Sequence, residues 1–273
     1  MAATSLLARL GIVDRGAWRR RWQQRLARLS WPGAPPDPEL LWGLALPLLS
    51  AVEAELQHTH TPKPVVGLHA PVGAGKSTLA RQLQHLAAGF GCDLAIVSID
   101  DAYLEWERRQ QRLAGNPFGV NRVPPGSHDP ALLLDAIRAW QAHGDLRLPR
   151  FDKTLRHGLG DRCGWSQQQA DALLIEGWMV GYEPCPDWEL RLWLEASDHD
   201  LNAAEGEWLP RWNRELEAYR PLWAVCSSLW VLQPLDWSSV VRWRLQAEAK
   251  QRRQGGDSMA TEQVRALVRA SQA

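Results

Sequence analysis

The stretch Val65–Leu79, V-V-G-L-H-A-P-V-G-A-G-K-S-T-L, leaves this chain few choices of fold. A short apolar run (Val65, Val66, Leu68) ends in a glycine-rich turn. Gly75-Lys76-Ser77-Thr78 then opens a helical pattern through Leu79, Leu83 and Leu86. Strand, glycine loop and helix N-terminus in that order build a cradle for phosphate. Glycines let backbone N–H groups turn inward, and the helix N-terminus adds a favourable dipole. Lys76 reaches the β and γ oxygens, and the Ser77 hydroxyl holds Mg²⁺. The pattern implies a nucleoside triphosphate site formed by Gly73, Ala74, Gly75, Lys76, Ser77 and Thr78. One position departs from G-x-x-x-x-G-K-[ST]: its first glycine is Ala70. Alanine adds one methyl group, and the glycines nearest the phosphate, Gly73 and Gly75, are present.

A length of 273 residues suits one α/β domain with additions, and 45% hydrophobic content is enough for a large core. Positive and negative side chains balance at 31 each, so no global field favours nucleic acid or an anionic membrane as partner. Cys92, Cys163, Cys185 and Cys226 are widely spaced without a C-x-x-C, which reads as a reducing compartment without structural zinc. No apolar run approaches the ~20 residues of a membrane span. The N-terminus, M-A-A-T-S-L-L-A-R-L, carries arginine and lacks acids, as transit peptides do. Asp14 and a helical pattern running from Trp18 to Leu29 favour a cytoplasmic protein instead. Only four of the 31 basic residues are lysines (Lys63, Lys76, Lys153, Lys250). Where lysine survives in such a chain a compact point charge is wanted, which draws attention to Lys76 and Lys153. The sixteen tryptophans have no explanation in the sequence beyond filling core and surface, and oligomeric state is not encoded in any pattern.

Residues 1–30 read as one or two amphipathic helices closed by W-P-G-A-P-P-D-P (Trp31–Pro38). Residues 39–57 read as a helix with a wide apolar face, which Pro47 kinks or splits. This gives an N-terminal helical cap over 1–60 and a P-loop domain over 61–273. Within the latter, Leu94–Ile99 and Ala172–Ile175 read as buried parallel strands and Leu229–Leu232 as the last strand. Residues 103–128 read as a long polar loop and 130–142 as a helix. Residues 148–164 form a second, glycine-rich connection, 205–225 are helical, and 237–254 form a strongly basic helix. Strands alternating with helices imply a doubly wound, mostly parallel sheet of P-loop NTPase type, with helices on both faces.

In open α/β sheets ligands sit at the carboxyl ends of strands, and two further strand ends carry acids: Asp100-Asp101 and Glu176. Phosphorylating a hydroxyl takes one carboxylate to receive its proton and another on the Mg²⁺ side. Asp100 is the expected base and Glu176 the metal-side carboxylate, with Lys76 on the phosphates. The acid pair at 100–101 equally suits a helix N-cap.

Eight blocks in register resemble the D-glycerate 3-kinase family of plants and cyanobacteria. They are S-I-D-D-A-Y (Ser98–Tyr103), N-P (Asn116-Pro117), G-S-H-D (Gly126–Asp129), L-P-R-F-D-K (Leu148–Lys153), G-x-G-D-R (Gly158–Arg162), I-E-G-W-M-V-G (Ile175–Gly181), N-x-x-L-E-A-Y (Asn213–Tyr219) and W-R-L-Q-A-E (Trp243–Glu248). That family belongs to the phosphoribulokinase/uridine kinase-like P-loop kinases. The resemblance spans about residues 64–265 and implies phosphorylation of D-glycerate to 3-phosphoglycerate by Mg-ATP, the closing step of photorespiratory carbon salvage. It implies that the helix at 237–254 is a lid whose Arg244 reaches the nucleotide phosphates, which agrees with its basic composition. Glycerate also needs a cation for its carboxylate. Arg150, Lys153 and Arg162 are the candidates, with His128 and Asp129 for the 2-hydroxyl, although Arg150 with Asp152 also reads as a structural ion pair. The sequence ends at Val268–Ala273, where many family members continue with an aromatic, proline-bearing segment that bears on closure of the site. Two other readings remain open: a related kinase for a pantothenate- or uridine-like acceptor, and a nucleotide-binding regulatory protein without transfer activity.

Overall fold

The computed structural model describes residues 2–31, 35–57, 63–196, 201–234, 236–253 and 259–272, without the side chains of 2–5, 77, 250, 251 and 272. Residue 254, the last of the expected basic helix, and part of the expected 31–38 connection lie outside the described residues.

The chain opens with α1 (Ala2–Arg9) and α2 (Arg15–Leu26), the latter capped by Asp14, which accepts from the Ala17 N–H. Then come α3 (Pro38–Leu40), a π-helical turn (Leu41–Ala45) and α4 (Leu46–Leu56). The backbone stays helical from Pro38 to Leu56, so Pro47 does not split the apolar stretch; the π-helical turn directly before it accommodates the proline. From there the order is β1 (Val65–His69), α5 (Lys76–Gly89), β2 (Leu94–Ser98), a 3₁₀ turn (Ile99–Ala102), α6 (Trp106–Leu113), α7 (Pro130–His143), β3 (Leu146–Asp152), β4 (Asp161–Gln168) and β5 (Ala172–Gly177). The remainder is α8 (Asp187–Glu195), α9 (Ala203–Glu215), a 3₁₀ turn (Leu216–Tyr219), α10 (Arg220–Trp223), β6 (Ser228–Val231), α11 (Trp237–Arg253) and α12 (Thr261–Gln272).

Four strands form a parallel sheet in the order β2-β5-β1-β6. Residues of β1 and β5 are buried throughout, because both faces of the sheet are covered. On one face Val65, Val97, Leu173 and Ile175 pack with Leu133, Ile137 and Trp140 of α7 and with Tyr219, Leu222 and Trp223. On the other, Val66, Leu68 and Leu174 pack with Leu79, Leu83 and Leu86 of α5 and with Trp22, Leu46, Leu48 and Val52. Residues 2–57 therefore share one core with the phosphate-loop helix. Several tryptophans here gain a polar role as well. The indole N–H groups of Trp18 and Trp22 both donate to the Ser50 hydroxyl, which itself donates to the Leu46 carbonyl.

Two stretches differ from the sequence expectation. The 103–128 loop contains α6, and the supposed loops around R-F-D-K and G-x-G-D-R are the strands of an antiparallel hairpin, β3–β4. β4 is mostly exposed, so it shows no apolar run, and Pro149 inside β3 argues against a strand in any sequence reading.

Candidate active site

Parallel strands bring their carboxyl ends to one edge. In register, Leu68 stands beside Glu176 and Glu176 beside Ser98, so the phosphate loop after β1, Glu176 at the end of β5 and Asp100 just after β2 meet there. Gly73 and Gly75 both have φ of 81°, the left-handed backbone that the loop needs and glycine adopts freely. Gly75 is the N-cap of α5, which places Lys76, Ser77 and Thr78 in its first turn. The Ser77 side chain lies outside what is described. Ala70 is buried and its φ is not positive, so the position asks nothing that only glycine provides. Its carbonyl and that of Pro71 each accept from Lys76 Nζ at 2.9 Å. Burial lowers the Lys76 pKa, against the pull of Glu176 and Asp100.

The acid pair after β2 divides its labour. Asp101 closes a capping box in which Ser98 is the N-cap, and it accepts from the Phe151 N–H at 3.2 Å, so its role is structural although the cap itself is Ser98. Asp100 faces a cavity of about 280 Å³ whose wall also carries Lys76, Glu176, Lys153 and Arg244. Its carboxylate accepts from Lys153 Nζ at 2.6 Å. Burial pushes the Asp100 carboxyl up, but Lys153 and the neighbouring His128 outweigh burial and hold it well below the usual range. Glu176 is buried, and its Oε2 has no hydrogen-bond partner. Burial raises its pKa while Lys76 opposes the rise.

α11 forms one wall of the cavity by packing its backbone on the loop. A Cβ placed on Gly73 would lie 2.9 Å from the Arg244 backbone nitrogen. Val240 on the same helix face is buried, and Arg244 Nη2 pairs with Glu248 and reaches the Met259 sulfur. Met259 and Leu267 of the C-terminal segment also line the cavity. On the outer side of the loop a second, more open cavity of about 370 Å³ lies between Pro71, Ala74, Leu232 and Trp243.

The expected acceptor-side residues are placed unequally. Lys153 lines the cavity. His128 has no exposed side-chain surface; it stacks on Tyr103, and its Nε2 lies 3.9 Å from Asp100 Oδ1, behind the carboxylate and not in the cavity lining. Tyr219 accepts from the Gly126 N–H at 3.1 Å, so its own O–H is free to donate to His128 Nδ1 at 3.0 Å, which leaves the proton on Nε2 toward Asp100. Burial lowers the His128 pKa, against Asp100, so the ring is neutral at neutral pH. Asp129 caps α7 and accepts from Arg162, whose Nε donates to the Tyr103 carbonyl, so these two are engaged with each other and the backbone. Arg150 is exposed on β3 and does not line the cavity. Sequence reasoning missed two residues, Tyr103 and Arg122, both in the cavity wall. Tyr103 stands inside a quoted motif and was readable there; Arg122 carried no local signal.

The residues present fit Mg²⁺. Glu176 Oε2 is a buried acceptor without a donor at the phosphate edge, and among the described residues no group of three or more His, Cys, Asp or Glu side chains gathers to hold a metal by itself. A hard cation carried largely by phosphates and water needs only such a carboxylate and the loop serine.

Phosphate loop, parallel sheet and strand-end acids together define a P-loop kinase fold. No protein-family model matches the chain. It is 33% identical over 220 residues to the chloroplastic D-glycerate 3-kinase of Arabidopsis thaliana, a match covering 76% of this chain and 46% of that protein, so the chain spans about half its relative's length. It is 33% identical over 205 residues to an uncharacterized kinase of Schizosaccharomyces pombe, covering 68% and 72%. The solved structure of D-glycerate 3-kinase from Cryptococcus neoformans superposes with a TM-score of 0.70 at 29% identity, over 80% of this chain and 81% of that one. The chain belongs to the D-glycerate 3-kinase family of P-loop kinases. Among the described residues no helix is long and apolar enough to cross a membrane.

Proposed function

We propose that this protein transfers the γ-phosphoryl group of ATP to the 3-hydroxyl of D-glycerate, giving 3-phosphoglycerate, and serves photorespiratory glycerate salvage from a reducing, cytoplasmic location. The observation that carries the reading is Asp100: an ionised carboxylate at a strand end, in the same cavity as Lys76 and Glu176. The acceptor oxygen forms the new bond to phosphorus, the bond to the bridging oxygen of ADP breaks, and the hydroxyl proton passes to Asp100. Lys76 and Arg244 offset charge on the transferred group, and positioning supplies most of the rate. Mg²⁺, held by Ser77 and Glu176 directly or through water, would neutralise phosphate oxygens. The outer cavity beside Trp243 offers an apolar wall for the adenine ring. Residues 1–60 act as a cap on the 61–273 domain, and 237–254 as its lid.

The test is ADP release from Mg-ATP by purified protein with D-glycerate, L-glycerate, uridine, pantothenate or no acceptor. D-glycerate alone should stimulate, and Asp100→Asn should lower kcat by about 10²–10⁴-fold while the protein stays folded. Stimulation by uridine or pantothenate instead would replace the substrate. Nucleotide binding with no stimulation by any acceptor would favour a regulatory protein.

A further inference from the structure

Arg122 belongs to no part of the phosphate chemistry, yet it stands in the cavity wall with Asp100, Tyr103 and Lys153. Its Nη1 is buried and has no hydrogen-bond partner. Lys76 is held by two carbonyls, Lys153 by Asp100, and Arg244 by Glu248 through Nη2, its Nε also lacking a partner on the phosphate-loop side of the wall. A buried guanidinium N–H without an acceptor is unfavourable unless something else supplies the acceptor.

The backbone around Arg122 is built to hold it there. On one side Arg109 Nε donates to the Asn121 carbonyl at 3.0 Å; on the other Trp178 Nε1 donates to the Val123 carbonyl at 3.0 Å. Val123 has φ of 93°, which a β-branched residue adopts only where its surroundings over-determine it. Gly160 clears the space alongside: a Cβ there would come 3.2 Å from Arg122 Nη1 and 2.4 Å from the Phe151 ring. A strained segment pinned at both ends holds one guanidinium in the wall that it shares with Asp100.

We propose that Arg122 binds the carboxylate of the acceptor and so selects hydroxy acids over neutral alcohols. The inference rests on the hydroxy-acid kinase reading above and assigns its specificity. A guanidinium matches a planar carboxylate with two parallel N–H groups, which a lysine cannot do. It replaces Arg150 and Arg162 as the residue for this task, since the first lies outside the cavity and the second is already paired.

The experiment compares wild type, Arg122→Gln and Arg122→Lys with D-glycerate and its neutral amide as acceptors, after thermal melts establish that the variants fold. Arg122→Gln should raise the KM for D-glycerate by about 10–100-fold, the effect of losing a hydrogen-bonded charge. The KM for ATP should stay unchanged, the preference for D-glycerate over the amide should shrink by a similar factor, and Arg122→Lys should recover only part of the loss. An unchanged KM for D-glycerate, or an effect on the KM for ATP instead, overturns the assignment while leaving the glycerate reading intact. A wild type that ignores D-glycerate but uses another hydroxy carboxylate, with Arg122→Gln weakening it, discards glycerate and upholds Arg122. Stimulation by uridine alone, or by no acceptor, overturns both.

Discussion

Gly73 is where backbone conformation and contact with α11 meet in one atom. A methyl group there would lie 2.9 Å from the backbone nitrogen of Arg244 and 3.1 Å from its Cα, distances that force either the loop or α11 to move. Gly75 has the same φ of 81° and nothing within 4 Å of its hypothetical Cβ. The pair is therefore a matched experiment. Both alanine variants carry the left-handed penalty of about 1–2 kcal/mol. Gly73→Ala adds overpacking against backbone, about 1–3 kcal/mol. At roughly 2–4 °C per kcal/mol for a chain of this size, Gly73→Ala should melt about 2–12 °C below Gly75→Ala, both without nucleotide. Should the methyl group lift α11 and leave the core undisturbed, hydrogen exchange in α11 of Gly73→Ala rises while the two melts coincide. Identical melts together with identical exchange in α11 would refute docking of the α11 backbone on the phosphate loop.

Two other perturbations test the acceptor side. Lys153→Met removes the partner that opposes burial at Asp100, so the carboxyl pKa rises and the acid limb of kcat/KM moves to higher pH. The sign for stability follows: a depressed carboxyl stabilises above its unfolded pKa and loses that contribution as pH falls through its folded value, and Lys153→Met removes it. Because the Lys153 side chain is 58% exposed, the loss at neutral pH should stay under about 1 kcal/mol in a denaturant melt; an unshifted acid limb would separate Lys153 from the base. Arg109 is fully buried and donates to the carbonyls of Leu104, Asn121, Leu159 and Gly160. Arg109→Met should lower stability by about 3–5 kcal/mol, read by the same melt, because four buried acceptors lose their donor; a loss below about 1 kcal/mol would mean that water replaces it.

What the sequence disclosed and what it hid divide along a physical line. The phosphate side is made by backbone: glycines at fixed offsets, a helix N-terminus and one lysine, all within the Val65–Leu79 stretch, so a short string of letters specifies it. Asp100 and Glu176 were legible for a related reason, since parallel strands must end at one edge. The acceptor side is made by side chains whose fate depends on their partners, and partners are tertiary. Arg109, in W-E-R-R-Q-Q-R, looks like a solvated helix face, yet it is the buried clasp for four carbonyls. Arg150, Arg162 and Arg122 are the same residue type on neighbouring segments. One is exposed, one is spent on Asp129 and the Tyr103 carbonyl, and one lines the cavity and keeps a buried N–H unpaired beside Gly160. Nothing in the local sequence separates them, because the deciding features are the φ of Val123 and the bare Cα of Gly160 beside it. Acceptor specificity in such a site is therefore set by which cation the fold leaves without a partner, and a change at Val123 or Gly160 should alter it as surely as one at Arg122.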